Sequence, residues 1–215
     1  LSNILDHWNE LKNVPCVVEQ KIALDAEFSI IVSRSEQGQI ALFAPTQNVH
    51  LDGVLDISTA PSQLDSQMLD QGKLAATKIA EKLDYVGVLA VEFFVSDNRL
   101  FVNELAPRPH NSGHWTLDAA RTNQFEQQVR ALVGEPLGDP SMTCSAVAMV
   151  NLLGDRWANG EPLFERADTD SCAHLHLYGK RDARAGRKMG HLTMTGDYVE
   201  AAANSAISLR NAITR

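Results

Sequence analysis

The chain has 215 residues, of which 44% are hydrophobic and 21% are charged. This composition is typical of a folded globular protein and excludes a mainly disordered chain. The formal net charge of −8 argues against nucleic acid or an anionic membrane as a partner, because both bind positive surfaces. No apolar run approaches the roughly 20 residues of a membrane helix, so no membrane span is expected.

The three cysteines, Cys16, Cys144 and Cys172, are far apart and odd in number. They fit neither a disulfide framework nor a CxxC metal site, so we predict a reducing, cytoplasmic location. The chain opens at Leu1 inside a helical pattern. That opening is typical of a fragment of a longer protein.

The first part of the chain predicts three strands, a loop and a long helix. Residues 14–19 predict a buried strand, and residues 26–32 and 39–44 predict two more. Residues 47–55 are polar and irregular, which indicates a loop. Apolar residues at helical spacing predict a helix that opens at Pro61 and runs to Leu83, although Gly72 costs it about 1 kcal/mol relative to Ala.

A β-hairpin is predicted next. Residues 87–95 and 100–105 are rich in β-branched and aromatic side chains, and residues 96–99 between them are polar, which is a turn signal. A polar, glycine-containing loop follows over residues 106–115.

The segment 123–133 has the best helix signals, with an Asn123–Glu126 capping box at its start and Gly134 at its end. We expect its apolar residues Phe125, Val129 and Leu132 to form one face. A subdomain boundary is predicted near residues 138–140. Beyond it the sequence predicts strands over 146–153 and 173–178, a glycine-rich turn into another strand over 186–194, and a terminal helix over 198–213.

Two glutamates on the arms of this hairpin are the centre of the functional prediction. A three-residue loop at 97–99 would place Glu92 directly opposite Glu104, so that both share a face. Two such carboxylates repel each other unless a cation lies between them. Glutamates in strands commonly face solvent, yet Glu92 lies in an apolar run, where a lone carboxylate is costly. Magnesium binding and simple solvent exposure both stay open at this point.

Polar and basic residues near the hairpin could bind anions. Asn103 adds an oxygen donor beside Glu104, and Arg108 and Asn111 could bind a planar oxyanion, although an ordinary polar loop is an equal alternative. A second basic cluster could hold a phosphate group or form a solvated turn; it contains Lys180, Arg181, Arg184, Arg187 and Lys188. His174 and His176 alternate on a predicted strand, but no third zinc ligand is evident, so zinc is not expected.

Several ordered motifs resemble one family. Residues 103–108 read Asn-Glu-Leu-Ala-Pro-Arg and, with the preceding acidic Glu92, resemble the metal-binding hairpin of ATP-grasp enzymes. The longer string to Thr116, with His-Asn-Ser-Gly-His in it, is similar to the 5-(carboxyamino)imidazole ribonucleotide synthase family. Further matches follow in family order at residues 18–20, 27–29, 48–53, 85–88 and 186–192. The resemblance therefore covers nearly the whole chain.

The resemblance implies an α+β fold. Residues 1–138 would form the C-terminal portion of an ATP-grasp domain, an antiparallel sheet with packed helices. Residues 139–215 would form a small, mostly β C-terminal domain with a terminal helix. The resemblance further implies a homodimer for the full-length protein, with small molecules as its partners and neither nucleic acid nor membrane among them.

The resemblance also assigns the nucleotide site. It implies that ATP is the cofactor-like substrate and that Mg²⁺ is bound by Glu92 and Glu104. The adenine would lie against the strand-to-loop segment made of Glu19, Gln20, Lys21 and Ile22. Glu27 would hold the ribose, His50 would approach the nucleotide, and Asn103 and Glu104 would lie at the phosphates.

The implied reaction is the carboxylation of 5-aminoimidazole ribonucleotide to 5-(carboxyamino)imidazole ribonucleotide, in purine biosynthesis. ATP would activate bicarbonate as carboxyphosphate, from which the carboxyl group passes to the exocyclic amine. Arg108, His110 and Asn111 would position bicarbonate and its phosphorylated form. Lys180 and Arg187 would hold the phosphate of the ribonucleotide, and Lys180 would also reach the carboxylating centre.

One departure from the family pattern lies before Glu19, where no glycine-rich phosphate loop is present. We therefore expect a fragment that does not catalyse the full reaction alone. One alternative is another ATP-grasp ligase, such as a formate-dependent glycinamide ribonucleotide transformylase or a biotin carboxylase. The other is a non-catalytic nucleotide-binding or assembly module.

Overall fold

The computed structural model describes residues 2–214 and has an α+β fold, as the family resemblance implies. Its helices are α1 (Ser2–Glu10), α2 (Ser66–Lys82), α3 (Thr116–Ala119), α4 (Gln124–Val133) and α5 (Val199–Ile213). Its strands are β1 (Ala26–Arg34), β2 (Ile40–Leu42), β3 (Thr46–Leu51), β4 (Val54–Ala60), β5 (Gly87–Ser96), β6 (Arg99–Ala106), β7 (Ala146–Leu153), β8 (Ala173–Leu177) and β9 (Lys188–Gly196). No helix among residues 2–214 is long and apolar enough to cross a bilayer.

The strands form one nine-stranded antiparallel sheet in the order β6-β5-β1-β3-β4-β7-β9-β8, with β2 paired to β1. Strand β7 joins the later strands to the earlier ones because it pairs with β4 on one side and with β9 on the other. Helix α5 packs against β7 and β9. The predicted boundary near residue 138 lies between α4 and β7 and stays a prediction.

Alternation along β1 separates two packed layers. Phe28, Ile30 and Val32 point to one face and pack with α2 in a buried apolar cluster. Ile31 points to the other face and packs with Trp115, which is fully buried. Because the side-chain period of a strand is two, Glu27 and Ser29 lie on the same face as Ile31. This face of the sheet carries the polar residues discussed below.

The predicted strand over residues 14–19 is wrong. The segment has no strand partner among the described residues, and Val17 and Val18 are 85% and 70% exposed. Its apolar residues lie beside helix α1, where they line a shallow groove with Leu5 and Trp8. An apolar run alone does not make a strand, because the backbone groups also need a neighbouring strand.

The predicted loop over residues 47–55 is also wrong, since β3 and β4 form a hairpin there. The turn is Asp52-Gly53, and both residues have positive φ, of 51° and 75°. An Asp-Gly pair is a strong hairpin signal. The polar residues that suggested a loop belong to strands with one face toward a polar cavity.

Helix α4 has its predicted bounds but not its predicted inner face. Asn123 caps it by accepting hydrogen bonds from two backbone N–H groups, and Gly134 ends it with φ of 78°. Phe125, Val129 and Leu132 are 39%, 59% and 63% exposed.

The side chains of α4 that face inward are Gln124, Gln127 and Ala131. The two glutamines are buried because they satisfy loop backbone. Gln127 Nε2 donates to Gly138 O at 2.7 Å, and Gln127 Oε1 accepts from Gly138 N at 2.9 Å. Apolar periodicity misses this kind of helix face, since an amide paired to backbone can be buried at little cost.

Helix α2 begins at Ser66, later than predicted, and Asp65 caps it. Its buried face is Met68, Gly72, Ala76 and Ala80. A Cβ added at Gly72 would lie 2.8 Å from ring atoms of Phe28. Gly72 is therefore required for the close approach of the helix to the sheet.

Gly72→Ala is expected to destabilise the chain even though alanine favours helix. The ring of Phe28 stacks on that of Phe93, with centroids 5.0 Å apart, and cannot withdraw freely. Overpacking costs about 1–3 kcal/mol, which exceeds the helix gain of about 1 kcal/mol. Urea unfolding measures the change, with exposed Gln71→Ala on the same helix as the control. A rise in stability for Gly72→Ala would contradict the packing argument.

Candidate active site

The predicted β5–β6 hairpin is confirmed, with a shorter turn than expected. Ser96 pairs with Arg99, so the turn is the two residues Asp97 and Asn98 and not residues 97–99. Both turn residues have positive φ, of 49° and 55°. Two such residues make a type I′ turn, which matches the twist of the flanking strands.

A β-bulge then brings the acidic residues together. Val91 pairs with Leu105 and Phe93 pairs with Val102, so Glu92 alone faces both Asn103 and Glu104. In a regular strand Asn103 and Glu104 would point to opposite faces. Because a bulge re-aims side chains, both of them line the same cavity as Glu92. The prediction that Glu92 and Glu104 share one face is confirmed, although the bulge, and not direct pairing of the two residues, brings them together.

The cavity has a volume of about 680 Å³. Eight of the predicted site residues line it; they are Glu27, His50, Glu92, Asn103, Glu104, Arg108, His110 and Lys180. Lys188, Phe94, Gly53, Val54, Leu55 and Gly186 complete the lining.

Curvature of the sheet makes this cavity possible. Strands β6 and β9 are six places apart in the strand order, which in a flat sheet would separate them by about 29 Å. Glu104 of β6 and Lys188 of β9 nevertheless line one cavity. The sheet therefore curves around the site.

One wall of the cavity is acidic. Asn103 Nδ2 donates to Glu92 Oε2 at 3.3 Å, and Glu27 Oε2 lies 2.7 Å from His50 Nδ1. Burial is the main cause that raises the pKa of Glu92; Glu104 and Glu27 raise it further, and His50 and Asn103 oppose the change. Three carboxylates and an amide around one space form a set of hard oxygen donors that fits Mg²⁺.

A second wall of the cavity is basic. Arg108, Lys180 and Lys188 line it, and Lys180 Nζ donates to Lys188 O at 2.6 Å. Burial, then the nearby Arg108, lowers the pKa of Lys188 despite the opposing effect of Glu92. Lys188 belongs to the basic cluster predicted from the sequence but was not among the predicted site residues. It is the first residue of β9, and it lines the cavity.

A polar loop between the walls holds His110. Gln124 fixes the backbone of His110, because its Oε1 accepts from His110 N and its Nε2 donates to His110 O, both at 2.8 Å. The Nε2 atom of His110 lies 3.4 Å from Glu92 Oε1. Burial, together with Arg108 and Lys188, lowers the pKa of His110 to about 4. We infer that the ring is neutral at physiological pH.

Three groups of predicted site residues are absent from the lining of this cavity: residues 19–22, Arg187 and Asn111. Glu19, Gln20, Lys21 and Ile22 belong to the segment without strand partners that precedes β1. Arg187 donates to Asp182 O at 2.9 Å and is outside the lining.

Asn111 is buried behind His110, and neither of its side-chain amide atoms has a hydrogen-bond partner within residues 2–214. The predicted role of Asn111 and those of the other two groups stay predictions.

A histidine cluster lies outside the cavity. The structure brings Asp118 and His191 to His176, with one possible ligand atom from each within 4.8 Å of the others. His176 Nε2 lies 2.9 Å from Asp118 Oδ1, and the rings of His176 and His191 are stacked at 4.5 Å with 15° between their planes. Lone pairs in two parallel, stacked rings do not converge on one ion. This geometry favours a hydrogen-bonded cluster.

Family models match two parts of the chain. The ATP-grasp domain matches residues 2–125, and the phosphoribosylaminoimidazole carboxylase C-terminal domain matches residues 147–205. The first match covers more than half of the sequence and contains the acidic hairpin. The chain belongs to the ATP-grasp family.

Within that family, several similar proteins are N5-carboxyaminoimidazole ribonucleotide synthases. N5-carboxyaminoimidazole ribonucleotide synthase of Brucella melitensis is 44% identical over 187 residues, which are 85% of this chain and 49% of that protein. The crystal structure of the N5-carboxyaminoimidazole ribonucleotide synthetase from Thermus thermophilus is 36% identical with a TM-score of 0.88, and the match covers 99% of this chain and 57% of that one.

A second similar structure contains small molecules. It is the N5-carboxyaminoimidazole synthase from Aspergillus clavatus in complex with ADP and 5-aminoimidazole ribonucleotide. It is 25% identical with a TM-score of 0.87, and the match covers 98% of this chain and 57% of that one. The chain spans about half the length of the curated relatives it matches.

Proposed function

We propose that this chain supplies the metal-binding and ribonucleotide-binding half of an ATP- and bicarbonate-dependent ligase that carboxylates 5-aminoimidazole ribonucleotide. The observation that supports this most is the single cavity with Glu92, Asn103 and Glu104 on one wall and Arg108, Lys180 and Lys188 on the other. Such a site can hold a magnesium-bound triphosphate and a second anionic group at the same time.

The acidic wall is proposed to bind Mg²⁺ with ATP. Glu92 and Glu104 would hold the ion, Asn103 would lie at the phosphates, and Glu27 with His50 would contact the nucleotide. When bound, the ion neutralises negative charge on the phosphate oxygens as the terminal phosphoryl group is transferred. Glu19 to Ile22 are proposed to contact the adenine, a role for their backbone rather than their side chains.

The basic wall is proposed to hold the other two substrates. Arg108 offers a planar set of donors for bicarbonate or its phosphorylated form, and His110 and Asn111 lie next to it on the same loop. Lys180, Lys188 and Arg187 would attract the phosphate of the ribonucleotide. These residues would bind and orient the reactants, and holding reacting groups in the right geometry lowers the barrier to reaction.

The remaining parts of the proposal concern the whole protein. A homodimer is proposed for the full-length enzyme, and the cytoplasmic location stays a prediction from the cysteine pattern. We expect the 215-residue chain alone to show little turnover, since the chain spans about half of its relatives.

A chimera tests this proposed function. The corresponding half of the Brucella melitensis relative is replaced by this chain, and ATP consumption is measured with bicarbonate and 5-aminoimidazole ribonucleotide. We expect turnover that needs all three substrates and is lost in a Glu104→Gln chimera. A folded chimera that instead consumes ATP with glycinamide ribonucleotide or biotin as the acceptor would favour another ATP-grasp ligase. A folded chimera that binds nucleotide without any turnover would favour the non-catalytic module.

A further inference from the structure

A chain of buried hydrogen bonds runs from the sheet to His110. Its members are Ser58, Asn48, Ser29, Ser112 and His110, none of which is more than 9% exposed. They come from three neighbouring strands, β4, β3 and β1, and from the loop after β6. None of the first four was selected as a site residue on chemical grounds.

Each link has a defined direction. Ser58 Oγ donates to Asn48 Oδ1 at 2.8 Å, and Asn48 Nδ2 donates to Ser29 Oγ at 3.1 Å. Ser29 Oγ then donates to Ser112 Oγ at 2.7 Å. A hydroxyl has one proton to donate, so Ser112, which already accepts from Ser29, is free to donate its own proton onward.

The last link fixes the tautomer of His110. Ser112 Oγ lies 2.9 Å from His110 Nδ1, and the backbone N–H of Ser112 also donates to Nδ1 at 3.4 Å. A nitrogen that accepts hydrogen bonds has no proton of its own. A ring whose Nδ1 accepts has its one N–H proton on Nε2, the atom that lies 3.4 Å from Glu92 Oε1.

We propose that Ser58, Asn48, Ser29 and Ser112 are positioning residues that hold His110 as an Nε2–H hydrogen-bond donor aimed at the carboxylate of Glu92. In this arrangement His110 orients Glu92 in the cavity and offers a donor to an anionic ligand, and its Nδ1 atom is not available as a base. The role of this donor toward a ligand rests on the proposed function, whereas the position of the ring proton does not.

Reversing the direction of this series of hydrogen bonds is the sharpest test. In Asn48→Asp the new side chain can only accept from Ser29, so Ser29 can no longer donate to Ser112. Ser112 then donates to Ser29 and accepts from His110, which moves the ring proton to Nδ1. Ser112→Ala removes the hydroxyl donor at 2.9 Å and leaves only the longer backbone N–H contact at 3.4 Å, so the share of the Nε2–H tautomer should fall.

The measurement is the two-bond ¹H–¹⁵N correlation pattern of the imidazole rings in the ligand-free chain, with the His110 signals assigned by His110→Gln. The chain has seven histidines, so this assignment is feasible. Ser33→Ala is the matched control, because Ser33 is also buried on β1 and its Oγ has no hydrogen-bond partner in the described part of the chain. We expect a pure Nε2–H pattern in the native chain and in this control.

An Nδ1–H pattern in the native chain would overturn the proposal, and so would an unchanged pattern in folded Ser112→Ala and Asn48→Asp. If Asn48→Asp does not fold, Ser112→Ala and Ser29→Ala decide the question, and unchanged tautomers in both overturn it. The experiment needs no nucleotide, metal or turnover. Its failure is therefore separate from a failure of the proposed function.

Discussion

Glu104→Gln and Glu92→Gln are both expected to weaken magnesium-dependent nucleotide binding by about 100-fold or more, since each removes a charged oxygen ligand. The two variants should differ in stability. Burial and two neighbouring carboxylates raise the pKa of Glu92, so its ionised form is less favourable in the folded chain than in the unfolded one. The stability that such a group provides is present below its unfolded pKa and is lost as pH rises through its folded pKa.

Glu92→Gln should therefore raise the melting temperature of the ligand-free chain at neutral pH while it removes binding. Calorimetric titration of ATP with and without Mg²⁺ measures the binding, and thermal unfolding in a metal chelator measures the stability. Exposed Glu36→Gln is the control and should change neither quantity. If Glu92→Gln bound magnesium and ATP as tightly as the native chain, the metal assignment would be wrong.

Acid is expected to destabilise the chain through buried His191 of the histidine cluster and through partly buried His114, whose ring centroid lies 5.0 Å from that of His191. Burial, then neighbouring histidines, lowers the pKa of His191 to about 3 and that of His114 to about 4. The unfolded chain binds a proton at each of these histidines near the ordinary histidine pKa of about 6.5, whereas the folded chain does not. Between about pH 7 and pH 4.5 each histidine should therefore cost about 2 kcal/mol of stability.

Urea unfolding over that pH range measures the loss. His191→Gln should make the loss smaller by about the contribution of one histidine, whatever its effect on stability at neutral pH. His7→Gln is the control, because its side chain is 69% exposed, and it should leave the pH dependence unchanged. An equal pH dependence in native chain and His191→Gln would show that His191 takes up its proton equally in both states.

The sequence was sufficient where one local signal determined one structural feature. The Asn123 cap and Gly134 stop defined helix α4, and the β-branched runs on either side of a polar turn defined the β5–β6 hairpin. The cluster of Glu92, Asn103 and Glu104 was also foreseen. The predicted turn was one residue too long, but the bulge adds one residue to β6 opposite Glu92, so Glu92 and Glu104 still lie together.

The features that failed depend on partners distant in sequence. Residues 14–19 are apolar enough for a strand, but a strand also needs a neighbour for its backbone. Gln124 and Gln127 are polar, yet they face inward because loop backbone at His110 and Gly138 requires their amides. Lys188 is one of five basic residues in its cluster, and only the start of β9 distinguishes it from Arg187.

The pairing of β4 with β7 has a consequence for selectivity. The acidic hairpin and strand β9, which begins at Lys188, belong to one continuous hydrogen-bonded sheet, so their separation is set by backbone geometry rather than by a flexible linker. A metal-bound nucleotide proposed for the acidic residues and an anion proposed for Lys188 would then be held at a spacing that the strand pairings set. Selectivity for their combined size would follow from the sheet, and side chains need only supply the charge.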